Sequence, residues 1–176
     1  FAFLQWLTNE NLFLVLLIQS LLDSCTCVLI FKCAGLINKK YQLYAGILAV
    51  CSPLMIVISS QILSDTIFLF MFTCSLYFIL RFIYIKNSLY VLFLSALFLG
   101  FSAFIRATNF PLIFLSLPII FLIIKVNNNS YKKTIFCLSL FLLIALLPVS
   151  HRWINNMINN ETLSLTSQAG SHAAYW

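Results

Sequence analysis

Two charges bound a long apolar hairpin. Asp65 follows Ser64 at the head of one apolar run, and Arg106 closes the next, with Arg81 and Lys86 between the runs. A carboxylate in such a place can position or deprotonate a hydroxyl, or act as a metal ligand. An arginine can grip an anionic headgroup such as a phosphate through paired N–H donors. Each residue also has a plain structural role. Ser64 can cap a helix whose positive end favours Asp65. Arg106 suits a helix C-terminus, or an ion pair with Asp65 across the hairpin. Arg152 carries the same readings as Arg106, and a further one as an interfacial anchor.

Asp23 is a different case. It lies inside an apolar run, where a charge costs about 2.5–3.5 kcal/mol on insertion scales. Gln19, Asp23 and Thr26 recur at helical spacing, flanked by Ser20, Ser24 and Cys27. That polar face must turn into a bundle or a wet cavity. Asp23 is either a functional intramembrane acid or a protonated carboxyl in an interhelical hydrogen bond. His151 and His172 have no clear third ligand, which makes a weak metal signal. The six cysteines all fall in apolar runs without a C-x-x-C and read as small buried residues. Nothing matches a P-loop, a dinucleotide fingerprint, a nucleophile elbow or a zincin helix.

The elements that must position these residues are membrane helices. The 176-residue chain is 62% hydrophobic and 8% charged, with mean hydropathy +1.05. Soluble domains carry about 25% charged residues. Six apolar runs are expected as helices, at about 12–34, 41–60, 66–85, 89–105, 110–124 and 134–149. The expected class is an all-α polytopic transmembrane bundle with about six membrane helices. Residues 1–149 form the bundle, and 150–176 form a polar juxtamembrane segment. The net charge of +6 is spread between apolar runs, so it reads as topology and not as a nucleic-acid patch. Lys32, Lys39, Lys40, Arg81, Lys86, Lys125, Lys132 and Lys133 fall on one side, eight of ten basic residues. That side is expected to be cytoplasmic, which puts Asp65, Arg106, Arg152 and both ends of the segment outside.

Local details add to this layout. Pro111 fits the first turn of its helix, whereas Pro53 and Pro118 are expected to kink theirs. Ala96, Gly100 and Ala103 make a small-residue face for close helix approach. Trp153, Ile154, Met157 and Ile158 suggest a short helix lying in the outer interface. Leu163 to Ser167 alternates like an extended strand or loop, and Gln168 to His172 is polar.

The hairpin and its neighbours resemble the GT-C glycosyltransferases, above all the protein O-mannosyltransferases and the aminoarabinose lipid A transferases. The resemblance rests on Leu63-Ser64-Asp65-Thr66, on Leu99 to Thr108 with its Arg106-Ala107-Thr108 ending, on Ser52-Pro53, and on Pro148 to Arg152. Ala107 stands where members often have proline, and Trp153 where they have asparagine. Gln168 to His172 looks like the outer segment that follows. Such enzymes transfer a sugar from a polyprenyl-phosphate donor to a lipid, glycan or protein acceptor on the outer face. The resemblance implies phosphate contacts at Arg106 and Arg152, substrate contacts at Gln168 and His172, and a supporting acid or metal ligand at Asp65. A divalent cation is a possible companion. The implied location is a bacterial cytoplasmic (inner) membrane, with membrane lipids as surroundings and no nucleic-acid partner. The principal acids of such enzymes lie in a first outer loop that this sequence does not contain. The chain therefore reads as a segment of a longer enzyme and is expected to be inactive alone. Asp23 and the interior prolines keep open a transporter or lipid flippase, although no inverted repeat supports one. A structural membrane subunit is a third reading.

Overall fold

A computed structural model describes residues 11–60, 64–85, 88–127 and 131–160. Among these residues every regular element is helical. They are α1 (Leu12–Ile37), α2 (Gln42–Val50), α3 (Pro53–Ser60), α4 (Asp65–Tyr84), α5 (Leu89–Ile105), α6 (Phe110–Asn127) and α7 (Tyr131–Asn160). Short 3-10 turns at Lys39–Tyr41 and Ala107–Asn109 lead into α2 and α6. Four stretches are long and apolar enough to cross a membrane: α1, α4, the segment Ala107–Lys125 and the segment Tyr131–Ile158. α5 is apolar but shorter. The expected all-α membrane bundle is what forms.

Helix ends follow local chemistry. The Asn11 side chain caps α1, accepting from the N–H groups of Phe13 at 3.1 Å and Leu14 at 3.5 Å. Asn38 ends that helix in an extended conformation and accepts from the Lys40 N–H at 2.9 Å, starting the next turn. Two expectations change. The 41–60 run is not one kinked helix but two, broken at Cys51–Ser52. Pro53 pushes the residue before it out of the helical region and suits the first position of a new helix. Pro118 lies inside α6, which is one continuous helix. The short interfacial helix at 151–158 is no separate element, because α7 continues through Pro148 as one helix of 30 residues.

The helices pack in a row in which α2 meets α1, α1 meets α4, α4 meets α5, α5 meets α7 and α7 meets α6. α5 is the buried member. Val91, Leu92, Ala96, Leu99 and Ala103 join Phe82, Ile113, Ile120, Phe141, Ala145 and Val149 in the main core. The small-residue face acts as expected where α5 crosses α7. A Cβ on Gly100 would overlap the Ala145 carbonyl oxygen and come within 3.1 Å of Pro148 Cδ. No side chain larger than hydrogen allows that approach. Ser75 in α4 donates to the Ser95 carbonyl in α5 at 2.9 Å, a buried tie between these two helices. A smaller cluster of Cys27, Ala49 and Met55 holds α1 against α2 and α3.

Chain reversal puts the start of α4, the end of α5, the start of α6 and the end of α7 at one end of the bundle. The ends of α1, α4 and α6 and the start of α7 lie at the other. The first end carries Asp65 and Arg106. The second carries Lys32, Lys39, Lys40, Arg81, Lys125, Lys132 and Lys133.

Candidate functional site

Asp65 is the first residue of α4, and its carboxylate lies where free N–H groups of a helix start point. Ser64 holds the cap position but makes no side-chain cap hydrogen bond. The cap bond expected of Ser64 is not made, and Asp65 stands in the first turn, where the positive helix end favours its charge. Arg106 closes α5 in an extended conformation, with its N–H donating to the Ser102 carbonyl at 2.9 Å. This bend turns the guanidinium back across the hairpin. Arg106 Nη1 donates to Asp65 Oδ1 at 2.6 Å. The same guanidinium lies over the Phe68 ring, 5.7 Å from its centroid, one turn along α4.

The turn that delivers Arg106 is itself fixed. Asn109 is buried, and its Nδ2 donates to Ser102 Oγ at 3.0 Å. The Ser102 hydroxyl in turn donates to the Leu99 carbonyl at 2.7 Å. The Asn109 N–H donates to the Arg106 carbonyl at 3.0 Å. These bonds satisfy a polar turn under a packed core and fix the direction in which Arg106 leaves it. Sequence reasoning passed over Ser102 and Asn109. The signal was an asparagine directly before Phe110-Pro111, in a turn that has to satisfy its own backbone.

The pair remains open to solvent or headgroups, with the Arg106 side chain 49% exposed and that of Asp65 28% exposed. An arginine with one donor spent on a carboxylate keeps others for a phosphate. Among the described residues no three His, Cys, Asp or Glu side chains gather to hold a metal.

The other expected residues fall elsewhere. Arg152 belongs to α7, beyond the Gly100–Ala145 crossing and at the same end of the bundle as Arg106. Gln168 and His172 lie outside the described residues. Asp23 is not part of the pair. It lines an open-sided groove of about 670 Å³ between α1 and α2. Its expected polar face divides: Gln19 and Thr26 are buried, while Ser20 and Ser24 are exposed and donate to their own helix at the Leu16 and Ser20 carbonyls. This groove is thus distinct from the end where the paired charges meet.

A family model described as dolichyl-phosphate-mannose-protein mannosyltransferase matches residues 1–154. The chain belongs to this family. The mannosyltransferase match takes in Asp23, Asp65, Arg106 and Arg152 and ends before Gln168 and His172. It bears out the GT-C resemblance, and the apolar helices agree with a membrane glycosyltransferase. No curated protein and no solved structure matches the chain.

Proposed function

We propose that this chain is the part of a mannosyltransferase-family enzyme that holds the phosphate of a polyprenyl-phosphate sugar donor at the Asp65–Arg106 end. The contact between Arg106 and Asp65 carries the reading, because it fixes a half-exposed guanidinium where a lipid headgroup would lie. Transfer forms a bond from an acceptor hydroxyl oxygen to the anomeric carbon and breaks that carbon's bond to phosphate oxygen. The hydroxyl proton goes to a base, and the phosphate leaves as an anion. Arg106 stabilises the charge that grows on the leaving phosphate. Asp65 keeps Arg106 in place and, as a supporting acid, orients the acceptor hydroxyl. Arg152 is assigned a second phosphate contact, and Gln168 and His172 contacts to substrate. The acceptor class is a lipid, glycan or protein, and this end is assigned to the outer face by the lysine count at the other. For a bacterial protein that membrane is the inner one.

The test is photolabelling of the full chain in nanodiscs with a benzophenone-bearing polyprenyl phosphate. Label is expected at the start of α4 and the end of α5. Arg106→Ala should lower it about tenfold or more, as loss of a charge-assisted hydrogen bond predicts, and Arg106→Lys should keep part of it. Label at the lysine-rich end, or undiminished label in a folded Arg106→Ala protein, overturns the assignment.

A further inference from the structure

The groove between α1 and α2 lies away from the charged pair and is built differently. Its α1 wall includes Asp23, Ser24, Val28 and Phe31, and its α2 wall includes Leu43 and Ile47. It runs from the middle of α1 toward the lysine-rich end. At about 670 Å³ it falls within the range of about 300–1,000 Å³ usual for ligand sites. The wall is largely apolar, and Val28, Leu43 and Ile47 are exposed along it.

What lies at its lower end selects an occupant. Lys32 follows Val28 by one helical turn, and Lys39 precedes Leu43 by about one turn, with Lys40 beside it. All three are exposed, and their ammonium groups make no ion pair or hydrogen bond among the described residues. The described carboxylates, Asp23 and Asp65, both lie away from that end. The second cavity, about 190 Å³ beside α4, α5 and α6, has no charged residue in its wall. An apolar trough with three exposed lysines about one turn beyond its lining residues, none of them ion-paired among the described residues, matches a molecule with a hydrocarbon tail and an anionic head.

We infer that the α1–α2 groove binds an anionic phospholipid from the leaflet at the lysine-rich end. The acyl chain lies along Val28, Phe31, Leu43 and Ile47, and the phosphate group rests on Lys32, Lys39 and Lys40. Asp23 stands at the far end, past the reach of the headgroup. This site is independent of the sugar donor assigned to the opposite end.

The full chain is placed in nanodiscs holding equal amounts of phosphatidylglycerol and phosphatidylcholine with the same acyl chains, and retained lipid is read by native mass spectrometry. The wild type should retain phosphatidylglycerol in at least tenfold preference. The triple variant Lys32→Gln, Lys39→Gln, Lys40→Gln should lose that preference. Ile47→Trp, which fills the groove, should lower retention of both lipids. Arg81→Gln with Lys132→Gln and Lys133→Gln removes the same charge elsewhere on that end and should leave the preference intact. Helical circular dichroism and thermal midpoint verify each fold, and a charge-conserving Lys32→Arg, Lys39→Arg, Lys40→Arg protein should behave as wild type. Equal retention of the two lipids by wild type overturns the inference. So does loss of preference in the Arg81 set, which would mean a diffuse basic surface. A protein dimer that Ile47→Trp dissociates also overturns it, since a second copy would then fill the groove.

Discussion

Asp65 opens α4, where free helix N–H groups and Arg106 compensate its charge, whereas Asp23 sits mid-way along α1 and makes no hydrogen bond or ion pair among the described residues. The contrast extends to the surroundings. The Asp65 end rests on a hairpin tied by the Ser75–Ser95 bond and pressed against α7 at Gly100. The Asp23 region is held by the small Cys27, Ala49 and Met55 cluster and bounded by an open groove. A carboxylate at a helix start costs little and is easily oriented. One in mid-helix is costly for insertion and keeps its place only beside water or a polar group. The two acids therefore belong to two regions, one closely packed and one open.

Insertion of α1 is the strongest way to break that contrast. Asp23→Leu should make membrane insertion of the isolated α1 segment more favourable by about 3 kcal/mol, read from glycosylation-tagged translocation. The same substitution at Asp65, at the head of its helix, should change insertion of α4 by well under half as much. Equal effects would mean that depth does not separate the two acids.

Packing should show the next largest difference. Gly100→Leu forces a side chain into the Ala145 backbone and should destabilise the fold by about 1–3 kcal/mol or more, seen as a lower thermal midpoint in detergent. Gly46→Leu meets Phe31 less closely, at 3.0 Å from the nearest ring atom and 3.3 Å from its Cβ, beside an open groove and with no backbone atom in the way. Its cost should be under about 1 kcal/mol. A larger cost at Gly46 would show that the groove region is the tighter one.

Much of this contrast was legible in the sequence. Period and length marked the helices, and α5 occupies the very span 89–105 that its apolar run indicated. Hairpin logic brought Asp65 and Arg106 to one end, and the pairing of opposite charges across it was one of the stated roles. Other features depend on contacts that pattern does not encode. The break before Pro53 replaced a kink because both halves find support on α1. α7 outran its expected end because helix geometry continues through Pro148, even though asparagines crowd its last turns. At about 45 Å it exceeds a hydrocarbon core of about 30 Å, and beyond Val149 no described residue is buried. The Ser102–Asn109 bond joins two unremarkable polar residues, and only the turn geometry makes them matter.

That bond can be tested by its reach. Asn109→Leu leaves the Ser102 hydroxyl with its Leu99 partner but removes the donor that fixes the turn. A loss of about 1 kcal/mol in stability is expected. Polyprenyl-phosphate labelling should also fall while that of Asn109→Gln partly recovers, because the turn aims Arg106. Unchanged labelling in Asn109→Leu would mean the guanidinium is set by Asp65 and Phe68 alone.

The smallest effect is the most discriminating. Asp65 and Arg106 are close but exposed, so a double-mutant cycle with Asp65→Asn and Arg106→Gln should give a coupling of only about 0.2–1 kcal/mol in stability. High salt should reduce it further. If the pair existed to hold the fold, the coupling would be the main consequence of either substitution, and labelling by the lipid phosphate would not respond. If the pair exists to present a guanidinium, Arg106→Gln should remove most labelling at almost no cost in stability. Asp65→Asn should weaken labelling less, since Phe68 and the Asn109 turn still hold the arginine. A coupling of several kcal/mol would place this end in the same class as a buried structural pair. It would then be the open groove, and not the charged end, that is left free to engage a ligand.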